Sequence, residues 1–379
     1  MANIALQRAV DKYIGGAMCL GYSFLQHDKK PLVKEEVKEI LIIRLWTLGE
    51  TILTLPMIER IRKEYPHAKI TVLARNANKA IFKNIDFIDD VLLFERENFR
   101  ILWGLRGRFD LAIDTEPYLR VSGLLARFLG KKQIGFDHGV RGKIYSQKVR
   151  YDDHKHAAEL FCDLLKPIGI EYKPNTLVRL KSTDISAKIE SMIGKSLNEA
   201  RVIGMHASTA DSAKYRAWPI KNFAELASKI IDENANASVV LTGSPSEHKL
   251  NEEIIKMCAG DRKRIFNLAG VLSFEEFIGL FDCLDVFVSN DTGPMHLSAA
   301  QGCKTIGLFG PNLPSRFGPY PLDNGTNFAI YHGDRVPCSP CINVHTGCFK
   351  KCRRMKDGTG ECMALIGMEE VYEQVKKTI

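Results

Sequence analysis

Val288-Ser289-Asn290-Asp291-Thr292-Gly293-Pro294-Met295-His296-Leu297-Ser298-Ala299-Ala300 is the segment that best indicates how this chain folds. Apolar residues rich in β-branched and aromatic types precede it at 283–288 and predict a buried strand. Apolar residues at helical spacing follow it, and Pro294 suits the first turn of a helix. The polar run 290–293 therefore lies between the carboxyl end of a strand and the amino end of a helix.

A helix N-terminus at that place favours an anion, because its first N–H groups have no helical partner and its dipole is positive. In open α/β sheets, ligands bind at the carboxyl ends of the strands. We therefore predict that Asp291, Thr292 and Gly293 bind a phosphate or pyrophosphate, with His296 as a further donor one turn into the helix. The alternative is that Asp291 and Thr292 only cap the helix.

Another strand follows this helix at 304–309 and ends in a Gly-Pro turn. The order strand, S-N-D-T-G-P-M-H, helix, strand, G-L-F-G-P resembles glycosyltransferase family 9, the heptosyltransferase-like enzymes. The resemblance covers most of the chain after residue 39. It implies an α/β protein of the GT-B fold, with two doubly wound Rossmann-like domains facing each other across a cleft. It also implies that the D-T-G-x-x-H segment holds the diphosphate and nearby sugar of a nucleotide-sugar donor.

The first predicted strand, 39–45, runs into a glycine turn in which Glu50 follows Gly49. The segment R-L-W-T-L-G-E-T-I-L-T-L-P, residues 44–56, is similar to the family's opening motif, whose acid after the glycine deprotonates the acceptor hydroxyl. The family's usual residue is Asp, so Glu50 moves the carboxylate by about a bond length, a scale that matters in catalysis. The alternative is a first-turn carboxylate that complements the helix dipole. No G-x-G-x-x-G is present, which counts against a dinucleotide dehydrogenase.

Two segments after residue 200 predict a phosphate site. Ser208 and Thr209 follow a strand at 201–206, and Lys214 and Arg216 precede Trp218. Small hydroxyl side chains with a nearby cation suit phosphate. The family has a strand, a Ser/Thr loop and a basic residue two positions before the Trp, which implies donor binding by these residues. Lys214 and Arg216 are both candidates for the contact with the donor phosphates.

Two more positions carry donor roles that the resemblance implies. Glu247 matches the family's acid that binds the nucleoside ribose, and Leu272 lies in the segment beside the base. Each has a structural alternative. Glu247 would be a charge at a helix N-terminus, and Ser273 with Glu276 forms a capping box.

The chain has 379 residues, of which 45% are hydrophobic and 26% charged, with a formal net charge of +8. This predicts a globular protein of two domains with an anionic partner. Residues 100–150 hold eleven Lys/Arg against four Asp/Glu. Nucleic acid is the weakest explanation, because no RNA-binding or zinc-finger pattern is present. We expect an anionic glycolipid or glycan acceptor, bound by four basic residues: Arg120, Lys131, Lys132 and Arg141.

We expect four parts: a helical segment 1–35, an acceptor domain 36–180, a donor domain 181–365 with a cysteine-rich tail, and a C-terminal helix 366–379 that crosses back onto the first domain. Polar residues at 171–195 predict the linker. The apolar pattern at 4–25 predicts a helix that either lies in the membrane interface or packs on the first domain. Its fourteen uncharged residues, 13–26, are too few to span a bilayer. Without a recognisable secretory signal, the expected location is cytoplasmic, with peripheral contact at the inner membrane.

Five of the ten cysteines lie between 338 and 362. The spacing of Cys338, Cys341, Cys348 and Cys352 suits a structural zinc or, less well, an iron–sulfur cluster. Reduced thiols and disulfides are the alternatives. We expect the chemistry itself to need no cofactor.

The residues and the resemblance predict an inverting, metal-independent glycosyltransferase with Glu50 as general base. The resemblance implies transfer of a sugar, heptose from ADP-heptose, to a lipopolysaccharide-core or other surface glycan. Two alternatives are a nucleotide-sugar epimerase or hydrolase of the same fold and a non-catalytic sugar- or membrane-binding protein, because a fold does not determine a function.

Overall fold

The computed structural model describes residues 9–24, 32–343, 345, 348–349, 351–356 and 358–379. The chain divides into two compact units. Unit 1 contains residues 1–175 and 345–347, and unit 2 contains residues 176–344 and 348–379. The boundary lies inside the polar segment predicted as a linker. Part of that segment nevertheless forms a helix, Ser186–Ile193, because Ile185 and Ile189 are buried in a core cluster of unit 2.

Unit 1 is built on a sheet of six parallel strands in the order β3-β2-β1-β4-β5-β6. These strands are Glu39–Ile43, Lys69–Ala74, Asp90–Leu93, Phe109–Asp114, Gly130–Asp137 and Gln147–Arg150. The sequence predicts the first five, at 39–45, 69–74, 90–94, 111–114 and 133–136, since central strands covered on both faces are continuously apolar. The sixth was not predicted, because only one of its four residues is buried.

Helices connect the strands of unit 1. After a π-helical turn at Asp11–Gly15 they are, in chain order, α1 Gly16–Ser23, α2 Leu48–Glu64, α3 Lys79–Lys83, α4 Phe99–Gly104, α5 Arg120–Leu129 and α6 Ala157–Cys162. The 3₁₀ segments described in unit 1 are Lys34–Glu36, Arg96–Asn98, Gly139–Ile144 and Asp163–Ile168. The ring of His156 accepts a hydrogen bond from the Ala158 N–H and so caps the start of α6.

Unit 2 repeats this strand order. Its sheet runs β12-β11-β10-β7-β8-β9 with all neighbours parallel, so the unit's first and fourth strands again lie side by side. Strands β7 to β12 are Arg201–His206, Ala237–Leu241, Ile265–Asn267, Val286–Asn290, Thr305–Phe309 and Asn327–Tyr331. Two short antiparallel pairs follow, β13 Ile342–Asn343 with β14 Cys348–Phe349 and β15 Met355–Lys356 with β16 Thr359–Gly360.

Eight helices are described in unit 2: α7 Ser186–Ile193, α8 Ile220–Glu233, α9 His248–Met257, α10 Phe274–Leu280, α11 Gly293–Ala300, α12 Pro314–Phe317, α13 Glu361–Ala364 and α14 Met368–Thr378. The 3₁₀ segments are Asp211–Arg216, Pro245–Glu247, Arg262–Arg264, Phe281–Cys283 and Gly333–Arg335. The prediction that the C-terminal helix crosses back onto the first domain is wrong. Val371 and Val375 of α14 are buried in the core of unit 2, and the Tyr372 hydroxyl donates to Glu233 of α8 at 2.6 Å.

The N-terminal helix packs on unit 1, as one of the two predicted alternatives states. The carboxylate of Asp11 accepts from the N–H groups of Arg120 and Val121 and so caps α5. Gly15 permits close packing, since a β-carbon there would lie 3.0 Å from Cβ of Arg120. The predicted positions 4–8 and 25 lie outside the described residues. Among the described residues, no helix has both the length and the apolar character needed to cross a bilayer.

Candidate functional site

Polar residues gather where the first and fourth strands of each unit end side by side. In unit 1 these strands are β1 and β4, and in unit 2 they are β7 and β10. The strand order reverses at these places, so the connections leave on opposite faces and open a crevice at the carboxyl ends. Each unit therefore has one candidate site, and the two are described separately.

In unit 1, the carboxylate of Glu50 is held by two basic side chains. Glu50 stands in the first turn of α2, and Arg44 directly follows β1. The Arg44 Nη2 donates to Glu50 Oε2 at 2.5 Å, and His345 Nε2 lies 3.0 Å from Glu50 Oε1. Both carboxylate oxygens thus have a basic partner, and the side chain is 13% exposed.

The surroundings of Glu50 keep it ionised. Burial alone would raise its pKa, but the charges of His345 and Arg44 and their hydrogen bonds outweigh this and lower the pKa to about 2. An ionised carboxylate is the form that accepts a proton, so Glu50 has the charge state of a general base at neutral pH.

A second carboxylate shares the guanidinium of Arg44. Glu116 follows β4, and its Oε1 accepts from the N–H groups of Leu45 at 2.7 Å and Trp46 at 3.1 Å, while Arg44 Nη2 lies 3.4 Å away. Burial raises the pKa of Glu116 to about 7, Arg44 opposes this, and the negative charge of Glu50 adds to it. Neighbouring carboxyl groups with opposite pKa shifts are typical of acid–base sites.

The turn that carries Glu50 is strained. Thr47, directly before α2, has a φ of 47°, a conformation that a β-branched residue rarely adopts. Such a residue costs about 1–3 kcal/mol and persists where its surroundings hold it. Here the Asn78 amide donates to the carbonyl of Arg44 and to the hydroxyl of Thr51, both at 3.0 Å. The strain and its support are consistent with a functional turn.

The four predicted acceptor residues do not share one environment. Lys131 is exposed and pairs with Asp110, Lys132 is half-buried, and Arg120 pairs with Asp11 of the N-terminal helix. Arg141 is buried, contrary to its assignment to an exposed basic surface.

The guanidinium of Arg141 is used inside unit 1. Its Nη2 donates to the carboxylate of Asp114 at 2.5 Å and to the hydroxyl of Tyr145, and its Nη1 donates to the carbonyl of Glu116. Tyr145 also donates to Asp114 at 2.7 Å. Arg141 therefore supports the end of β4 beside Glu116 rather than forming an exposed contact surface.

In unit 2, Asn290 joins three segments at the end of β10. Its side-chain N–H donates to the carbonyl of Ala207 after β7, and its side-chain oxygen accepts from the N–H of Trp218. These distances are 2.8 and 2.9 Å. Asn290 was within the quoted segment, but only the structure shows its role.

The predicted phosphate residues Arg216 and Asp291 are brought together. Asp291 Oδ2 accepts from Arg216 Nη1 at 3.2 Å and from Asn312 at 2.9 Å. The Thr292 hydroxyl donates to the carbonyl of Asn290, and its side chain does not cap α11. The capping alternative for Thr292 is therefore wrong, and its position at the N-terminus of α11 calls for another explanation.

Ser208 and Glu247, both predicted donor residues, form one cluster with His206. Ser208 Oγ lies 2.9 Å from His206 Nε2. Burial raises the pKa of Glu247, but hydrogen bonds from Ser208 and Ser244 and the charge of His206 lower it overall. Glu247 is also part of a capping box with Ser244, so its structural alternative is present as well.

The other predicted donor residues take different positions. Thr209 donates to the carbonyl of Ala213, Lys214 is exposed, Leu272 is half-buried, and His296 is buried in α11. The predicted capping box of Ser273 and Glu276 is confirmed. Between the two candidate cations, Arg216 is the one in contact with Asp291.

The cysteines of the tail lie near one another. Cys338 is exposed, Cys341 and Cys352 are half-buried, and Cys362 is buried. Burial, and then the neighbouring Cys341, Cys352 and Cys338, raise the pKa of Cys362 to about 12. The side chain of Cys348 lies outside the described residues. Among the described side chains, no group of three potential ligands is arranged to hold a metal.

Three residues of the unit 1 site were given no specific role from sequence. Arg44 and Glu116 follow strand ends, and this position was a usable signal. His345 carries no such signal, because its contact with Glu50 joins residues 295 positions apart in the chain. Only folding brings these two side chains together.

The chain matches the model of glycosyltransferase family 9 (heptosyltransferase) over residues 99–345. It is 24% identical over 307 residues to the lipopolysaccharide core heptosyltransferase OpsX of Haemophilus influenzae, covering 78% of this chain and 85% of that protein. It is 23% identical over 341 residues to lipooligosaccharide heptosyltransferase 2 of Campylobacter jejuni, covering 88% of this chain and 95% of that protein.

Among solved structures, the fold is similar to that of the E. coli ADP-heptose LPS heptosyltransferase II. The TM-score is 0.69 at 21% sequence identity, over 89% of this chain and 97% of that one. The predicted α/β fold of the GT-B class, with two doubly wound units, is confirmed.

Because Arg141 is buried, we expect its replacement to lower the stability of the protein. Replacing Arg141 with Met leaves the carboxylate of Asp114 buried without its charge partner, and breaking a buried pair costs about 3–5 kcal/mol. We expect the free energy of unfolding of R141M, measured by urea denaturation, to fall by about that amount. K131M, which removes an exposed lysine, should stay within about 0.5 kcal/mol of wild type. An unfolding midpoint of R141M equal to that of K131M would contradict the structural role.

Proposed function

Because this chain belongs to glycosyltransferase family 9, we propose that it transfers heptose from ADP-heptose to a lipopolysaccharide-core or other surface glycan acceptor. Glycosyl transfer follows from the family. The choice of heptose is supported by the relatives, which are named as heptosyltransferases acting on lipopolysaccharide and lipooligosaccharide. The observation that carries the proposal is the Glu50 carboxylate in the first turn of α2, held between Arg44 and His345.

Glu50 is the general base of the proposed reaction. Its carboxylate accepts the proton of an acceptor hydroxyl as the oxygen attacks the anomeric carbon of the donor sugar. The new C–O bond forms on the face opposite the leaving group, so the configuration inverts. The bond from the anomeric carbon to the phosphate oxygen breaks, and its electron pair leaves with the nucleoside diphosphate. The step needs no metal or other cofactor.

The crevice of unit 2 receives the leaving diphosphate in this proposal. Thr292 and Gly293 stand at the start of α11, whose dipole favours negative charge. Arg216 adds a guanidinium beside Asp291, and Lys214 adds an exposed ammonium. Developing negative charge on the diphosphate is stabilised there, which is the usual way that proteins assist such a departure.

The remaining residues that we assign to donor binding also belong to unit 2. Ser208 and Thr209 lie beside the phosphates, Glu247 binds the ribose, and His296 and Leu272 lie near the sugar and the base. The shared cluster of Ser208, His206 and Glu247 supports this assignment, because it orients a hydroxyl and a carboxylate at the end of β7. For the acceptor, we keep the proposal that Lys131 and Lys132 of β5 bind an anionic glycan. Arg120, which lies beside the N-terminal helix, is the third proposed contact.

A membrane surface is the second partner that we propose, at the inner face of the cytoplasmic membrane. The N-terminal helix turns Gly15 and Cys19 towards unit 1 and leaves its apolar side exposed. The exposed apolar residues are Val10, Tyr13, Ile14, Met18, Leu20 and Phe24. Helices that expose an apolar face beside basic residues bind the interface of anionic membranes. The exposed Lys12 on the helix provides such charge.

A structural zinc in the cysteine-rich tail is the third part of the proposal. The expected ligands are Cys338, Cys341, Cys348 and Cys352. A β-carbon at position 360 would lie 3.7 Å from Sγ of both Cys352 and Cys362, so thiols do gather in this tail. Neighbouring thiols that raise one another's pKa would be neutralised as thiolates by a divalent cation. When bound, the metal would hold the tail together and take no part in the transfer.

Replacement of the base tests the proposed function. We expect E50Q to lower kcat/KM for acceptor-dependent release of ADP from ADP-heptose by about 10²–10⁴-fold, because an amide cannot accept the proton. The dissociation constant for ADP should not change, since Glu50 belongs to unit 1. E64Q, on the same helix and also paired with an arginine, should behave as wild type.

Three outcomes of this experiment would contradict parts of the proposal. Wild-type activity in E50Q would remove Glu50 as the base. Release of ADP without any acceptor would indicate an epimerase or hydrolase. Binding of ADP-heptose without turnover on any lipopolysaccharide acceptor would indicate a binding protein.

Charges on the exposed face of the N-terminal helix should prevent membrane binding. The double variant I14E/M18E places two carboxylates where apolar groups would enter the interface, and each loses about 1.5–3 kcal/mol of burial. We expect co-sedimentation with phosphatidylethanolamine–phosphatidylglycerol vesicles to fall at least about tenfold. M257E, which charges an exposed apolar residue of unit 2, is the control. Equal sedimentation of I14E/M18E and wild type would refute this surface.

Elemental analysis tests the zinc. We expect the purified protein to carry about one zinc per chain and the variant C338S/C341S to lose it, because two of four thiolate ligands are gone. C258S, at a buried cysteine outside the tail, should keep the metal. Purified protein that lacks zinc would contradict the zinc site. Disulfides between the tail cysteines, detected by mass spectrometry before reduction, would then support the disulfide alternative.

A further inference from the structure

We propose that His345 is a positioning residue for the catalytic base, which together with Arg44 fixes the orientation of the Glu50 carboxylate towards the acceptor hydroxyl. This inference rests on the proposed role of Glu50 in glycosyl transfer.

The geometry around Glu50 is that of a carboxylate clamped from two sides. His345 Nε2 lies 3.0 Å from Oε1, and Arg44 Nη2 lies 2.5 Å from Oε2. The His345 side chain is 1% exposed and that of Arg44 is fully buried. A carboxylate with a buried partner on each oxygen has little freedom to rotate, so its remaining lone pairs have fixed directions.

The ring of His345 is itself fixed by aromatic neighbours. Phe161 of α6 has its ring centre 5.5 Å from that of His345, and Tyr151 meets it edge-on at 5.9 Å. The guanidinium of Arg44 lies over the same Phe161 ring at 5.3 Å. One phenyl ring thus supports both basic partners of Glu50, which aligns them with respect to each other.

His345 reaches Glu50 from a distant part of the chain. Residues 345–347 belong to unit 1, whereas residues 176–344 and 348–379 belong to unit 2. The local strand and turn around Glu50 therefore do not by themselves produce this contact. His345 is grouped with unit 1, where it contacts the proposed base.

Four charged or titratable groups of the described residues lie around Glu50. They are Arg44 and His345 in direct contact, Glu116 on the far side of Arg44, and Tyr151 beside the His345 ring. Two of these are basic and bind the carboxylate directly. Removal of His345 leaves Arg44 alone against the effect of burial, so the pKa of Glu50 must rise when the imidazole is taken away.

Two substitutions separate the polar N–H group of His345 from its positive charge. H345Q keeps an N–H donor without the positive charge, and H345A removes both. We expect kcat for glycosyl transfer to fall about tenfold in H345Q and about 10²-fold in H345A, because a displaced Glu50 carboxylate accepts the proton less effectively. In both variants an acid limb should appear in the pH profile of kcat/KM, since a raised pKa protonates the base at a higher pH. The KM for the nucleotide-sugar should stay unchanged.

A direct titration tests the contact without activity. Carbon-13 NMR of side-chain carboxyls, with Glu50 assigned by comparison with E50Q, should show the Glu50 resonance titrating at a higher pH in H345A than in wild type. H332Q is the matched control, because His332 also pairs with a glutamate, at 2.7 Å, within unit 2. Its kinetics and its Glu50 titration should match those of wild type.

The outcomes distinguish this inference from the proposed function. An unchanged Glu50 titration in H345A would overturn the role of His345 whether or not the protein transfers heptose. An equal loss of kcat in H345Q and H345A at every pH, with a lower unfolding midpoint, would reduce His345 to a structural residue and also overturn it. A shifted titration in a protein without transferase activity would leave the contact established and refute the proposed function instead.

Discussion

A guanidinium without solvent contact holds the unit 1 site together. Moving an ion out of water costs several kcal/mol, and only close, well-directed partners offset that cost. Arg44 has four such partners, the carboxylates of Glu50 and Glu116 and the carbonyls of Trp46 and Thr115. These partners belong to the turn after β1 and to the loop after β4. Because all of them must be in place at once, the ends of the two strands are held as one rigid piece.

Unit 2 has the same strand order, but the side chain that connects its loops is neutral. Asn290, at the end of β10, bonds to the carbonyl of Ala207 and the N–H of Trp218. A neutral amide joins these segments without placing a charge of its own beside α11. The guanidinium of Arg216 lies near the start of this helix, paired with Asp291. The two crevices thus share a topology and differ in chemistry, as their proposed roles require.

The segments at the ends of the chain serve the two units differently. The N-terminal helix caps α5 through Asp11 and presents its apolar side outwards. The C-terminal helix α14 instead buries Val371 and Val375 and completes the core of unit 2. Both helices are amphipathic in sequence, and a pattern alone does not tell which face is covered or by which unit. The contacts with Arg120 and with Glu233 decided this.

The sequence by itself determined the fold class and most strands, because strand periodicity, turn chemistry and helix starts are local properties. Glu50, Ser208 and Asp291 were proposed as site residues in this way, since each follows a strand or opens a helix. Only the tertiary structure decided that Arg141 is buried and that His345 meets Glu50. Those facts depend on side chains far apart in the chain, where burial and charge pairing compete and no local pattern records the outcome.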